Sequence, residues 1–127
     1  MALMLKIRWD IKKERIADFI SNQKTLCKVM MDHPGVICYH AEYPSEGVSE
    51  WIEIYANGDT FRAHLANEKG KAPLGAIIDD CIKITCRCFG NPDPGSREIL
   101  AGFGCTYHDT AADAFVLHPG ADRDSSV

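Results

Sequence analysis

The most constraining feature of this chain is the order in which its hydrophobic residues change period. Leu3, Leu5, Ile7 and Trp9 alternate with Met4, Lys6 and Arg8, the period of two that marks a half-buried strand. Asp10 reads as a helix cap, after which Ile16, Phe19, Ile20, Cys27, Met30 and Met31 recur at helical spacing, with Leu26 widening the stripe. Pro34 and Gly35 end that helix near His33 and open an extended run from Val36 to Tyr43. Turn chemistry at 45–47 leads to a second extended run, Trp51 to Ala56, so the two form a hairpin. Asn57-Gly58-Asp59 breaks the strand. Thr60 to Glu68 is then helical with Gly70 as its stop, Lys71 to Asp80 is a further helix, and Cys81 to Phe89 alternates again.

The order βαββαβ, with its second helix split, predicts an α+β fold: a ferredoxin-like antiparallel sheet with helices on one face, over residues 1–89. Residues 90–118 form a C-terminal αβ extension. In it Asp93 is an N-cap, Pro94 the first helical residue, and Cys105–His108 with Ala114–Leu117 a small hairpin or two edge segments. Phe103, Phe115 and Leu117 need apolar cover, so the extension is expected to pack on the domain or on a neighbouring subunit. Residues 119–127 are small and polar and are expected to be disordered. The second and third strands carry apolar residues on both faces: Val36/Cys38 and Ile37/Tyr39, Trp51/Tyr55 and Ile52/Ile54. The face away from the helices therefore needs cover, and a second copy about a two-fold axis supplies it, giving a homodimer.

Charge and composition narrow the partners. With 14 Lys+Arg against 18 Asp+Glu, the formal charge of −4 offers no field for nucleic acid or acidic lipid. Apolar runs are too short to span a bilayer, and the N-terminal segment lacks a secretory pattern, which together point to the cytosol. A chain this long can bury about two-thirds of its surface without staples, so the 6 cysteines are expected to be reduced, small hydrophobic residues. Cys86 and Cys88, with Cys81 and Cys105 in reach, invite a zinc site, but ligands in a zinc knuckle flank a tight turn rather than a strand, and no metal is expected. No glycine-rich dinucleotide fingerprint or P-loop occurs, consistent with no nucleotide cofactor.

Among chemistry-bearing residues, His64 stands out. It shares a helical face with Phe61 and Leu65, and its titration near neutrality suits a base in an apolar pocket; a hydrogen-bonded histidine at the pocket edge or a dimer contact is the alternative. Tyr55 shares a strand face with Glu53 and Trp51, so its hydroxyl can orient a substrate oxygen. Glu53 reads as half of an ion pair with Arg8 or Arg87 in preference to an acid/base group, and Trp51 as packing. Trp9 can line the same cavity. Tyr39 and His40 point to opposite faces, so at most one of them does. His108 beside Asp109 looks like a base and its orienter, but adjacent residues point apart and a surface position is expected.

The stretches His33-Pro34-Gly35 with Cys38-Tyr39, Trp51-Ile52-Glu53-Ile54-Tyr55-Ala56-Asn57 and Thr60-Phe61-Arg62-Ala63-His64-Leu65 resemble antibiotic-biosynthesis-monooxygenase-like domains of the dimeric α+β barrel superfamily. Those domains share a Pro-Gly turn before the second strand, an E-x-(W/Y) in the third and an A-H-L on the next helix. The resemblance covers about residues 3–89. It departs at Lys69, where many quinol-monooxygenase-like relatives have a second histidine. It departs again at Leu74 and Lys6-Ile7-Arg8, where haem-degrading relatives have a histidine and an asparagine. It implies a cofactor-independent monooxygenase for a small aromatic or quinol-like substrate, with His64 and Tyr55 catalytic and Phe61, Leu65, Trp51 and Tyr39 holding the substrate. A non-catalytic dimeric binding or sensing module of the same fold is the rival expectation, and an isomerase or lyase on an enolisable substrate a third.

Overall fold

The computed structural model describes residues 2–108. Five strands form one sheet: β1 (Leu3–Ile11), β2 (Val36–Ser45), β3 (Val48–Tyr55), β4 (Cys81–Phe89) and β5 (Thr106–His108), in the order β2-β3-β1-β4-β5. The pairs β2/β3, β3/β1 and β1/β4 are antiparallel, which is the ferredoxin-like order; β5 adds an edge strand parallel to β4. Four helices cover one face: α1 (Ile16–Met31), α2 (Gly58–Ala66), α3 (Glu68–Asp79) and α4 (Pro94–Gly102).

The periods place the elements, while turn residues act differently from expectation in three places. Asp10 is not a cap: β1 runs on to Ile11, with Asp10 paired to Val48 and Lys83, and a 3₁₀ turn at Lys13–Arg15 leads into α1. The buried stripe of α1 is Phe19, Leu26 and Met30, so Leu26 is its centre and not its margin, and Met31 is 82% exposed. Gly70 does not stop a helix. The break falls at Asn67, whose extended backbone ends α2 and whose side chain accepts from Lys69 N (2.9 Å) to start α3, leaving Gly70 packed under Leu26 and Met30 of α1.

A register shift between Val36 and Cys38 corrects the assignment of faces on β2. Val36 packs inward against the core with Tyr39 and Ala41, while Cys38, His40 and Glu42 lie outward. The outward face is also less oily than the pattern suggests. It holds Ile52 and Ile54, but also Lys6, Arg8, Glu42, Glu50 and Arg87. On β4 a shift opposite Asp10/Ile11 turns Ile82 outward, 73% exposed, so only Ile84, Cys86 and Cys88 face the core.

The described part of the extension, through His108, meets the domain at α2 and β4. Asp93 caps α4 through Ser96 N (3.3 Å) and pairs with Arg62 of α2, which also donates to Ser96 Oγ (2.9 Å). The approach is close enough that a Cβ on Gly58 would run into the Asp93 carboxylate. Leu100 is buried in the same core cluster as Leu3, Leu5 and Tyr55. The expected segment at 114–117, the cover of Phe115 and Leu117, Asp109 and the 119–127 tail lie outside the described residues. His108, exposed, stacks on Phe89 at 5.2 Å. Asp93→Ala removes a cap and the partner of Arg62 together. It is expected to lower the urea midpoint of unfolding, with faster amide exchange in α4 than in β1.

Candidate active site

Between the sheet and the helices lies a narrow cavity of about 40 Å³. Leu5, Ile7 and Trp9 of β1 floor it with Ile84 and Cys86 of β4. Phe61, His64 and Leu65 of α2 form one wall, which follows from the Asn57 cap: Asn57 Oδ1 accepts from Thr60 N (2.9 Å) and fixes where the helix begins, and hence which face turns inward. Gly35 completes that junction. Its φ of +78° suits glycine, its carbonyl accepts from Ala56 N (2.9 Å), and a Cβ there would collide with Thr60. The extension supplies the remaining wall through Leu100 and Phe103.

Into this apolar space β3 carries a carboxylate. Glu53 is 2% exposed, and Tyr55, on the same strand face, donates its hydroxyl to Glu53 Oε1. His64 Nε2 stands 3.6 Å from the same oxygen. The rings of Tyr55 and His64 stack at 5.6 Å and 24°, and Tyr39 meets His64 edge-on at 5.4 Å. Trp51 gives its indole N–H to Gln23 Oε1 (2.7 Å) and Ser49 Oγ (3.0 Å), so only its ring faces the cavity. Among the described residues Trp9 Nε1 and His64 Nδ1 have no hydrogen-bond partner, and the Tyr39 hydroxyl has none of good geometry, although it lies close enough to Glu53 to favour its charged form.

The structure thus gathers His64, Phe61, Leu65, Trp51 and Tyr39 around one cavity, with Trp9, and leaves His40 outside on the other sheet face. Tyr55 is fully buried behind the cavity, with its hydroxyl committed to Glu53 and not turned to the open space. Glu53 corrects the sequence expectation outright. Arg8 and Arg87 stand on the opposite face, Arg8 bound to Asp10 (3.2 Å), so neither reaches it. Strand alternation contained that signal, since a residue two away from both Trp51 and Tyr55 must share their face. Cys86 and Cys88 do face inward, with Cys105 beside Cys86, but Cys81 is at the far end of β4. Among the described residues no three His, Cys, Asp or Glu side chains cluster as metal ligands.

Burial sets the protonation of the pair. It raises Glu53 from 4.5 to about 7, an effect moderated by the Tyr55 hydroxyl and then by Tyr39. It lowers His64 from 6.5 to about 4, with His33, whose ring is 6.3 Å away, adding repulsion. Tyr39 and Tyr55 rise well above 10, first by burial and then by the Glu53 charge. Near neutrality, then, the histidine is uncharged and the carboxyl is the group that titrates.

These shifts have opposite linkage. Between about 4.5 and 7 native Glu53 keeps a proton that the unfolded chain releases, so its contribution falls as pH rises through that window. Between about 4 and 6.5 native His64 lacks a proton that the unfolded chain binds, so its contribution rises. Where the windows overlap, the pair holds one proton folded and one unfolded, and the two slopes cancel. In urea titrations across pH 4–7, Glu53→Gln is therefore expected to gain stability with rising pH relative to wild type, and His64→Gln to lose it.

No protein-family model and no curated protein matches the chain. Solved structures do. A Caulobacter crescentus protein provisionally named an antibiotic biosynthesis monooxygenase superposes with a TM-score of 0.62 at 20% identity, over 72% of this chain and 91% of that one. A Bacteroides thetaiotaomicron protein with the same provisional name gives 0.63 at 23% identity, over 67% and 84%. MupZ from Pseudomonas fluorescens gives 0.69 at 13% identity over 94% and 96%, and so reaches beyond residue 89 into the extension. The chain has the ferredoxin-like α+β fold of the antibiotic biosynthesis monooxygenase structures.

Proposed function

We propose that the protein is a cofactor-independent monooxygenase acting on a small phenolic or quinol-like aromatic. The observation that carries this reading is the buried Glu53–His64 pair, one member poised near pH 7, at the edge of an otherwise carbon-lined cavity. Ground-state dioxygen reacts slowly with closed-shell organic molecules, and an aromatic gives up its first electron readily only as an anion. The protein's part is then to exclude water, remove one proton and hold the anion. Glu53 is the better base: its raised pKa keeps it basic enough to take a phenolic or benzylic proton and still ionised in part at pH 7. His64, neutral there, passes the proton on through Nε2 or meets the substrate oxygen at its free Nδ1. Tyr55 acts through Glu53, holding the carboxylate in place. Trp9 Nε1, and the Tyr39 hydroxyl once Glu53 has taken up its proton, are the donors that receive a developing oxyanion. The substrate anion passes one electron to dioxygen, the two radicals combine to a peroxide, and loss of water turns a ring CH₂ into a carbonyl. One oxygen atom enters the product and the other leaves in water.

At about 40 Å³ the cavity as it stands is smaller than the roughly 150 Å³ apolar cavity that takes up benzene, so substrate entry displaces part of its lining. The names of the structural relatives support the reaction class, and the donor set supports a substrate with two oxygens.

The same reading assigns a homodimer, in the cytosol, through the open sheet face. Two like-charge pairs lie directly across strands there: Lys6 opposite Arg87, both over the Phe89 ring, and Glu42 opposite Glu50. Each is unfavourable alone. A two-fold copy lays the acidic pair of one protomer over the basic pair of the other and covers Ile52 and Ile54.

Oxygen uptake with quinols and anthrone-type phenols tests the activity. Uptake by wild type is expected to rise with pH through about 7. Glu53→Gln is expected to lose about 100-fold or more in kcat/KM, and His64→Ala to lose activity as well. No uptake by wild type, or full activity in Glu53→Gln, overturns the mechanism. Light scattering is expected to show a dimer for wild type and a folded monomer for Ile52→Arg.

A further inference from the structure

We propose that Cys86 and Cys105 form a redox site, a reversible disulfide that pins the C-terminal extension to the sheet at the wall of the cavity. The backbone places them. Arg87 pairs with Thr106 and Cys88 with Tyr107 in the parallel β4/β5 ladder, so one step back sets Cys86 beside Cys105. Neighbouring strands lie about 4.8 Å apart, inside the Cα separation of about 4.4–6.8 Å that a disulfide spans. The side chains agree: the two sulfurs are 3.1 Å apart and both residues are buried. The turn before β5 holds this arrangement. Gly104 adopts φ +64°, and Cys105 N donates to Leu100 O (3.2 Å), which returns the chain from the end of α4 to the sheet. Cys88, the neighbouring inward thiol, faces Tyr107 and has no cysteine opposite it.

The pair is chemically asymmetric. The hydrogen bond to Cys86 lowers the pKa of Cys105, while the same bond and burial push Cys86 up, so Cys105 is the nucleophile. With hydrogen peroxide as oxidant, the Cys105 sulfur attacks one peroxide oxygen. An S–O bond forms, the O–O bond breaks and one water leaves, giving a sulfenic acid. Cys86 then attacks that sulfur, the S–S bond forms and the hydroxyl departs as a second water. Two thiols lose two electrons and two protons, and one peroxide becomes two waters. A dithiol reverses the step by exchange.

The site bears on the cavity because Cys86 is one of its lining residues and Leu100 and Phe103, just before Cys105, line its wall. Oxidation ties that wall to β4. The proposal stands whatever the protein's reaction is, since no step of it uses the acid/base pair.

Trypsin provides a direct test because Arg87 separates Cys86 from Cys88, and Arg97 separates Cys88 from Cys105. Full-length reduced protein treated with stoichiometric hydrogen peroxide is expected to lose about 2 Da. Its digest is expected to join the peptide from Ile84 to Arg87 with the one starting at Glu98. The Tm is expected to rise by roughly 5 °C or more, and dithiothreitol to return both mass and Tm. Cys88→Ser keeps the cross-link, and Cys86→Ser and Cys105→Ser lose it. Oxygen addition with no cross-linked peptide, or a bridge through any other cysteine, overturns the proposal. Peptide mapping of wild type decides the matter alone if a serine variant does not fold.

Discussion

A carboxylate on the inner face of an interior strand must either be solvated by its neighbours or stay protonated, and this constraint organises the centre of the molecule. Among the described residues no Lys or Arg pairs with Glu53, and the groups that meet it are Tyr55, which donates to it, Tyr39, and His64 at 3.6 Å. Each partner is fixed by something else. Tyr55 is packed against Phe61 at 5.4 Å, and His64 is fixed by the start of α2 at Asn57. Moving α2 by one residue would turn His64 away and leave the carboxyl alone among carbon atoms. The Asn57 cap, the Gly35 turn that accepts from Ala56, and the pairing of Glu53 with Leu5 and Tyr39 on either side are thus parts of one arrangement.

The extension belongs to that arrangement. Its helix docks on the N-terminal turn of α2 through Arg62, Asp93 and Ser96, at a place where only glycine fits at position 58. Asp93 has its pKa lowered, first by the hydrogen bond from Ser96, with Arg62 adding to it, so it is ionised wherever the protein is folded at neutral pH. The same contact that caps α4 therefore braces the start of α2, and with it the position of His64. An isolated domain ending at residue 89 would lose a wall of the cavity and a brace on its histidine.

The sequence made the element order and most faces legible, because periods of two and 3.6 record which side of each element is buried. Trp51, Tyr55, Phe61 and Leu65 could be placed from spacing alone. The failures have a common cause, in that a turn residue or a charge has several uses that only tertiary contacts separate. Asp10 can cap a helix or extend a strand, and the pairing of β1 with both β3 and β4 decided for the strand. Gly70 can end a helix or let two helices approach, and α1 used it for approach. The extra residue at Val36–Cys38 reversed a face, and no periodicity can show an insertion of one. Glu53 departs from expectation for a different reason. Its face is legible, but a strand carboxylate suggests an arginine partner, and the burial that instead raises its pKa depends on the whole roof above it.

That roof is also the strongest physical argument about purpose. Replacing a buried charged group together with its partners by well-packed apolar residues is commonly neutral or stabilising, so packing alone gives no reason to place Glu53 and His64 here. Neither does it explain Trp9 Nε1 and His64 Nδ1, which have no hydrogen-bond partner among the described residues, in a core whose other indole, Trp51, is satisfied twice over. Such atoms are tolerated where a ligand completes them. The cavity holds those atoms beside a carboxyl whose pKa burial raises to about 7, and on the proposed reading the stability given up at Glu53 and His64 is what keeps a proton acceptor dry until a substrate arrives.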